Sequence, residues 1–307
     1  MGEVEKRRIR GQESLVNIAC GQFEPHVGFL EENREKTLRI IDEAAKQKVR
    51  FIVFPELCNT GYVFNTREEA RSLCEPVPGG KTIQLWEEAA KEYDMYIAAG
   101  FGEKEGIHLY NSAVLIGPEG YIGKYRKLHL WYEEKLFFEP GNLGIPVFET
   151  PIGRIGLQIC YDQWFVEVTR ILALQGADLI AGPTNWVPIN ENEHPDNLEK
   201  TGQMPMANHI AMVNAHVNTV WIAYCDRVGI ERGQPFLGSS IICNPSGLPV
   251  AGPASVKKEE LIVAKQCNLL DARKKKAWNN LNVMPRDRRA DVYDVMLGYQ
   301  GAKPYPF

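Results

Sequence analysis

Three side chains able to do covalent or acid–base chemistry each follow a short apolar run. Cys160 ends Arg154-Ile155-Gly156-Leu157-Gln158-Ile159-Cys160-Tyr161-Asp162, and a helix-like stretch begins just beyond it. A thiol at a sharp strand-to-helix turn is presented outward beside free backbone N–H groups. Those donors favour the thiolate and can stabilise an oxyanion. Any single cysteine is more often a buried core residue, so a nucleophile requires a base and a cation placed in a similar way. Glu56 follows Phe51-Ile52-Val53-Phe54-Pro55, a buried-strand pattern stopped by proline. Ligands of α/β sheets bind beyond the carboxyl ends of strands, where this carboxylate falls. Lys127 ends the alternating run Tyr121-Ile122-Gly123-Lys124-Tyr125-Arg126-Lys127. Taken singly, Glu56 would be a surface or capping carboxylate and Lys127 part of a solvated basic patch with Lys124 and Arg126. Their joint placement at strand ends is what suggests one site.

The elements that must position these groups alternate between strand and helix. Residues 15–22 form a first strand, and 30–47 an amphipathic helix with Leu30, Ile40, Ile41, Ala44 and Ala45 on one face. A strand at 50–54, a helix at 82–93 and a strand at 95–101 follow. Strands 109–116 and 120–127 are joined by the turn Gly117-Pro118-Glu119-Gly120. After Cys160 come a helix around 165–175, a strand at 178–182, a helix around 201–216, and strands at 219–225 and 239–243. This order predicts an α/β fold whose hairpins make the sheets mixed. No sequence repeat and no domain-separating linker is present. The glycines from Gly100 to Gly106 imitate a dinucleotide loop, but the last comes one place late and a strand follows, so a hairpin is expected.

Together these segments resemble the nitrilase superfamily of carbon–nitrogen hydrolases. The resemblance rests on Phe54-Pro55-Glu56, on Tyr125-Arg126-Lys127-Leu128-His129-Leu130 and on Gly156-Leu157-Gln158-Ile159-Cys160-Tyr161-Asp162. Glu133-Glu134-Lys135-Leu136-Phe137-Phe138-Glu139-Pro140-Gly141 completes it, occurring in the same order and spacing. It extends from about Val16 to Asp287-Arg288-Arg289, nearly the whole chain. The fold it implies is a four-layer αββα sandwich of two mixed sheets, with a hydrolase domain over 12–290. The aromatic tail 271–307, with Trp278, Tyr293, Tyr299, Tyr305 and Phe307, would pack at the subunit interface of a homodimer or larger homo-oligomer.

The chemistry the resemblance implies is thiol-dependent hydrolysis of a non-peptide carbon–nitrogen bond with release of ammonia. Cys160 would be the nucleophile and Glu56 the general base. Lys127 would stabilise the oxyanion with the Tyr161 backbone N–H, and Glu134 would position substrate and Lys127. Tyr161, His129, Asn185 and Trp186 are the candidate pocket residues. Neither cofactor nor metal is required; His209 and His216, seven residues apart, are too separated for one ion. Tyr161-Asp162 stands where true nitrilases usually carry Trp-Glu, which favours a small amide. Asp162-Gln163-Trp164-Phe165 looks like the carbamoylputrescine amidohydrolase branch. Pro183-Thr184-Asn185-Trp186-Val187 and the acidic loop Glu191 to Asp196 depart from that branch. An N-carbamoyl substrate is the alternative, then a nitrile. Acyl transfer to an amine and a non-catalytic scaffold are the remaining readings.

Composition narrows the partners. The 307 residues are 44% hydrophobic and 24% charged, ordinary values for a globular chain, with net charge -4. No basic face dominates, which disfavours nucleic acid; the run Arg273-Lys274-Lys275-Lys276 reads as a solvated helix face. Seven cysteines without a C-x-x-C pair suggest a reducing compartment, and with no membrane-length apolar run a cytoplasmic location is expected. The charged N-terminus lacks a secretory pattern, and Lys6 stands where a myristoylation motif at Gly2 needs Ser or Thr.

Overall fold

The computed structural model describes residues 15–296. Its first sheet is built from β1 (Leu15–Gln22), β2 (Phe51–Val53), β3 (Tyr96–Glu105), β4 (His108–Gly117) and β5 (Gly120–Arg126), with α1 (Leu30–Lys46), α2 (Arg67–Leu73) and α3 (Lys81–Glu92) between them. A short helix, α4 (Glu134–Phe137), leads to the second sheet. That sheet contains β6 (Val147–Thr150), β7 (Gly153–Leu157), β8 (Leu179–Pro183) and β9 (Trp221–Cys225), crossed over by α5 (Val166–Leu174), α6 (Pro195–Thr201) and α7 (Met206–Asn218). A two-stranded ribbon, β10 (Ile230–Glu231) with β11 (Gln234–Pro235), precedes β12 (Ile241–Cys243) and β13 (Pro249–Ala251). The chain then returns to the first sheet through β14 (Glu260–Asn268) and ends its described part with α8 (Asp271–Lys274) and α9 (Ala290–Met296).

The strand orders are β14-β1-β2-β3-β4-β5 and β13-β12-β9-β8-β7-β6. In each sheet three strands run parallel, β1-β2-β3 and β7-β8-β9, and the outer strands are antiparallel. The pleat of the first sheet sorts its side chains between two cores. Ile18, Cys20, Phe51, Val53, Ala98 and Leu115 face the second sheet. Ala19, Ile52, Ile97, Val114 and Ile116 face α1 and α3, where Ile41, Ala44, Ile83 and Trp86 meet them. Burial on both faces explains why β2 is wholly apolar. Two mixed sheets packed face to face beneath outer helices are the αββα sandwich expected.

The structure adds elements that the sequence pattern does not reveal: α2, α6, β6, β13 and above all β14, which pairs antiparallel with β1. The buried face of α1 is also more polar than its apolar pattern suggests, with Asn33, Arg34 and Thr37 inside. Each has a partner. Asn33 donates to the His26 and Asn59 carbonyls, Arg34 binds Glu75 and Thr82, and Thr37 accepts from the Trp86 indole. The hairpin after Gly100 forms as expected, with the strands pairing from Ile97↔Ile116 to Glu105↔His108. Tyr299, Tyr305, Phe307 and the Gly2 motif lie outside the described residues.

Candidate active site

The site lies where the C-terminal ends of β2, β5, β7 and β8 converge. Pro55 and Glu56 leave β2 over Gly100 of β3, so closely that a Cβ on Gly100 would stand 2.3 Å from the Glu56 Cα. Only glycine permits that passage. Glu56 is then fixed through its backbone by the second sheet. Its N–H donates to the Thr184 carbonyl at 3.2 Å, and its carbonyl accepts from Asn185 Nδ2 at 3.0 Å. Lys127 follows the last residue of β5; its N–H donates to the Asn111 carbonyl at 2.8 Å, and its carbonyl accepts from Gly141 N–H at 2.8 Å. Gly141 repeats the glycine device, since a Cβ there would fall 2.1 Å from the Arg126 carbonyl oxygen.

Lys127 is buried between two carboxylates. Its Nζ donates at 2.6 Å to Glu56 Oε1 and at 2.6 Å to Glu134 Oε1. Asn111, pleated inward from β4, donates to Glu56 Oε1 at 2.7 Å and to Glu134 Oε2 at 3.3 Å. The Tyr62 hydroxyl donates to Glu134 Oε1 at 2.6 Å. Burial alone would lower the Lys127 pKa, but Glu134 and Glu56 hold it well above the ordinary value, so the ammonium persists. Burial pushes Glu56 up to about 7, against the pull of Lys127 and with the help of Glu134. Burial and the two glutamates likewise raise Tyr62, keeping it a donor.

Glu56 Oε1 thus carries both hydrogen bonds, while Oε2 is buried without a partner. An unsatisfied buried carboxylate oxygen is costly, and it marks an atom free to take a proton.

Cys160 opens a short 3₁₀ turn, Cys160–Trp164, three residues past β7. Its φ of 44° is left-handed, a conformation that costs a non-glycine residue free energy and collects at functional sites. The turn is closed by Asp162, whose N–H donates to the Ile159 carbonyl at 2.9 Å and whose Oδ2 accepts the Ile159 N–H at 3.1 Å. The same buried carboxylate reaches the lysine strand. It accepts from the Tyr125 hydroxyl at 2.8 Å and from His129 N–H at 3.1 Å, and it contacts His129 Nδ1 at 2.8 Å. Asp162 therefore ties the cysteine turn to the segment carrying Lys127. Burial and the neighbouring Glu56 raise the Cys160 pKa well above that of a free thiol, opposed by Lys127 and the Asn185 backbone N–H. The resting sulfur is a thiol with a proton to give up.

The geometry matches a family. The chain fits the carbon–nitrogen hydrolase family model over residues 17–274, which includes Glu56, Lys127, Glu134 and Cys160. It belongs to the carbon–nitrogen hydrolases. The hydrolase is 42% identical to a nitrilase of Pyrococcus abyssi across 91% of this chain and 99% of the relative. It is 33% identical to an N-carbamoylputrescine amidase of Solanum lycopersicum across 94% of this chain and 97% of that one. A solved carbon–nitrogen hydrolase from Helicobacter pylori superposes with a TM-score of 0.77 at 25% identity, covering 93% and 99% of the two chains.

A cavity of about 220 Å³ opens from the hydrolase's Cys160, and Tyr161, Asn185 and Trp186 line it with Trp131 and Trp164. His129 is not in that wall. Its ring is stacked on Phe165 at 3.5 Å and held by Asp162, so it supports the turn from behind. Asn185 commits its amide to the Glu56 carbonyl, and Trp186 N–H is fixed by Asp226 at 2.8 Å. Asn111 and Tyr62 are the site residues that the sequence motifs do not single out; Asp162 stands inside the cysteine motif and Glu193 inside the acidic loop Glu191 to Asp196. For Asn111 the available signal is an amide inside an otherwise apolar strand. Nothing in the chain marks Tyr62, which lies 72 residues from Glu134. Among the described residues no His, Cys, Asp and Glu cluster could hold a metal ion, and no helix is long and apolar enough to cross a membrane.

Proposed function

We propose that the hydrolase cleaves a small amide through a Cys160 acyl-enzyme. Glu56 Oε2 removes the Cys160 proton as sulfur attacks the carbonyl carbon, and the carbonyl π-pair moves onto oxygen. Lys127 has three ammonium protons, two of which bind Glu56 and Glu134, leaving one for that oxyanion. The Tyr161 backbone N–H is the second donor. Collapse of the tetrahedral adduct expels the amine, which takes the proton from Glu56 and departs as ammonia. Glu56 then deprotonates water for attack on the thioester, releasing acid and restoring the thiol. Glu134, fixed by Tyr62 and Asn111, holds Lys127 in place and orients the substrate amide.

The observation that carries this reading is the division of labour within Glu56. One oxygen is saturated by Lys127 and Asn111, and the other is buried and unpaired, on a carboxyl whose pKa is raised to about 7. A base poised near neutral pH suits proton exchange with a thiol. Tyr161-Asp162 after the nucleophile favours amides over nitriles, and the 33% identity to an N-carbamoylputrescine amidase makes an N-carbamoyl compound the second substrate class.

The decisive experiment measures ammonia release from simple amides, N-carbamoyl compounds and matching nitriles, with wild type and Cys160→Ala. Cys160-dependent release from amides or carbamoyl compounds, with nitriles inert, is expected. Release from nitriles alone would overturn the amide assignment.

The exposed Val166, Ile171 and Leu174 on α5 and the exposed Trp278 of the tail support a homodimer joined through this side, which light scattering at micromolar concentration would test. All seven cysteines are free and buried, which supports a reducing, cytoplasmic setting.

A further inference from the structure

One more buried carboxyl lies at the strand ends, and the reaction proposed above leaves it without a task. Asp226 follows the last residue of β9 as Thr184 follows the last residue of β8, and the two strands run parallel in register, Pro183↔Cys225. Its Oδ1 accepts the Thr184 hydroxyl at 3.2 Å and the Trp186 N–H at 2.8 Å. The residue held between those two anchors is Asn185. Asp226 is itself fixed, its N–H donating to Ser240 Oγ at 2.9 Å.

The segment from Thr184 to Trp186 is where the two halves of the site meet. The Thr184 carbonyl accepts the Glu56 N–H at 3.2 Å, and Asn185 Nδ2 donates to the Glu56 carbonyl at 3.0 Å. The Asn185 backbone N–H donates towards the Cys160 sulfur, which favours the thiolate. Three residues thus grip the base through its backbone and offer a donor to the nucleophile. Strand pairing fixes them only as far as Thr184, whose N–H donates to the Cys225 carbonyl at 2.8 Å. Beyond that point the segment is held by Asp226 Oδ1 and by the Leu237 N–H, which donates to the Trp186 carbonyl at 3.0 Å.

The carboxyl suits this task as an acid rather than an anion. Burial pushes its pKa well above the ordinary aspartate value, and the nearby Glu56 adds to the rise. Its chain neighbour Arg227 turns its guanidinium elsewhere, to Glu231 and the Pro25 carbonyl. Oδ1 takes both donors, so Oδ2, which has no partner among the described residues, is the oxygen to carry a proton. We infer that Asp226 is a positioning residue: its Oδ1 sets the Asn185 N–H against the Cys160 sulfur, so that a donor is in place when Glu56 takes the thiol proton. It acts as an acceptor, not as a charge. The inference rests on Cys160 being the nucleophile of the proposed reaction and names the group that prepares its sulfur.

The test compares Asp226→Ala, which removes the acceptor, with Asp226→Asn, which keeps an oxygen of the same reach and cannot ionise. Each variant is read by kcat and KM on a substrate from the ammonia panel. Each is also read by iodoacetamide alkylation of Cys160 at one mildly alkaline pH, followed by mass spectrometry. Asp226→Ala is expected to lower kcat by about tenfold to a hundredfold, with KM within about twofold. Alkylation of Cys160 should slow by about tenfold while the other six cysteines stay unreactive. General loosening of the fold would do the reverse, exposing the thiols and speeding their alkylation. Asp226→Asn is expected to bring both readouts back to within about threefold of wild type. Alkylation at the wild-type rate in Asp226→Ala, or equal damage from Asn and Ala, would overturn the positioning role. If Asp226→Ala does not fold, Thr184→Val carries the comparison, since it removes one of the two donors to Oδ1. Alkylation should then slow by about threefold, and an unchanged rate would overturn the role. Alkylation needs no substrate, so slowed alkylation beside an ammonia panel that fails throughout faults the reaction and upholds the role of Asp226.

Discussion

The two sheets are built alike and bring different groups to the site. Each has three parallel strands continued by antiparallel ones, and in each a proline, Pro55 two residues past β2 and Pro183 at the end of β8, precedes a polar residue of the site. After β2 that residue is Glu56; after β8 it is Asn185, and the two segments hydrogen-bond to each other. The first sheet and the loop after it supply the buried ammonium and its two carboxylates, Lys127 with Glu56 and Glu134. The second supplies the thiol, the Asp162 carboxylate that closes its turn, and the neutral groups around it. A buried ammonium between two carboxylates is a structural commitment, because removing one partner leaves uncompensated charge. A cysteine in a turn carries no such debt. The charged cluster and the thiol are thus separable in stability, although the proposed reaction needs both.

The sharpest test of that separation is a pair of substitutions. Cys160→Ala should abolish ammonia release while the melting temperature stays close to that of wild type, because alanine keeps the Cβ and removes only the sulfur. Lys127→Met should lower turnover by about 10²–10³-fold or more. It should also cost about 3–5 kcal/mol of stability in urea titrations. Equal stability losses in the two variants would erase the distinction between the sheets.

A pH series probes the charged half alone. The folded-state pKa of Glu56 is raised from 4.5 to about 7. The folded protein therefore holds an extra proton between those values. The stability this group contributes is fully present below about 4.5 and is lost as pH rises through about 7. Catalysis runs the opposite way, since kcat/KM should rise through about 7 as the base form appears. Glu56→Gln should flatten the stability slope and remove activity together, as read by denaturant midpoints at pH 4 to 8.

Asp162 is the strut between the two halves. Asp162→Asn keeps the volume but loses an acceptor for Tyr125, Ile159 or His129. A shift of the cysteine turn relative to Lys127 should slow turnover by roughly 10²-fold. Iodoacetamide alkylation of Cys160 should slow as well, with KM little changed. The smallest effect is expected from Tyr62→Phe. It removes one hydrogen bond to Glu134, costing about 1.5 kcal/mol of stability and a few-fold in kcat/KM.

The strand ends are legible in the sequence because proline, glycine and an apolar run mark them locally, as at Phe54-Pro55-Glu56 and Ile159-Cys160. What reaches those ends from elsewhere is not. Tyr62 meets Glu134 and Asp162 meets Tyr125 only after the chain has folded back on itself. Proximity to Lys127 suggests a pocket position for His129, yet the strand end turns its ring towards Asp162 and Phe165. β14 is hidden for a similar reason. Its alternation is broken by a register shift opposite Val16 and Ile18 and by the left-handed Gln266, and its partner lies at the other end of the chain.

That distant pairing bears on how the molecule is made. β1 is synthesised well before the strand that covers its outer edge, 260–268. During synthesis the nascent first half exposes an unpaired, largely apolar strand edge, the kind of surface that invites association with other chains. Closing the sheet brings together residues some 250 positions apart, from Leu15↔Asn268 to Gln22↔Glu260, a separation that slows folding. The first sheet, which carries the charged half of the site, is completed only after the second has been synthesised, so the edge of β1 stays open in the growing chain until β14 arrives.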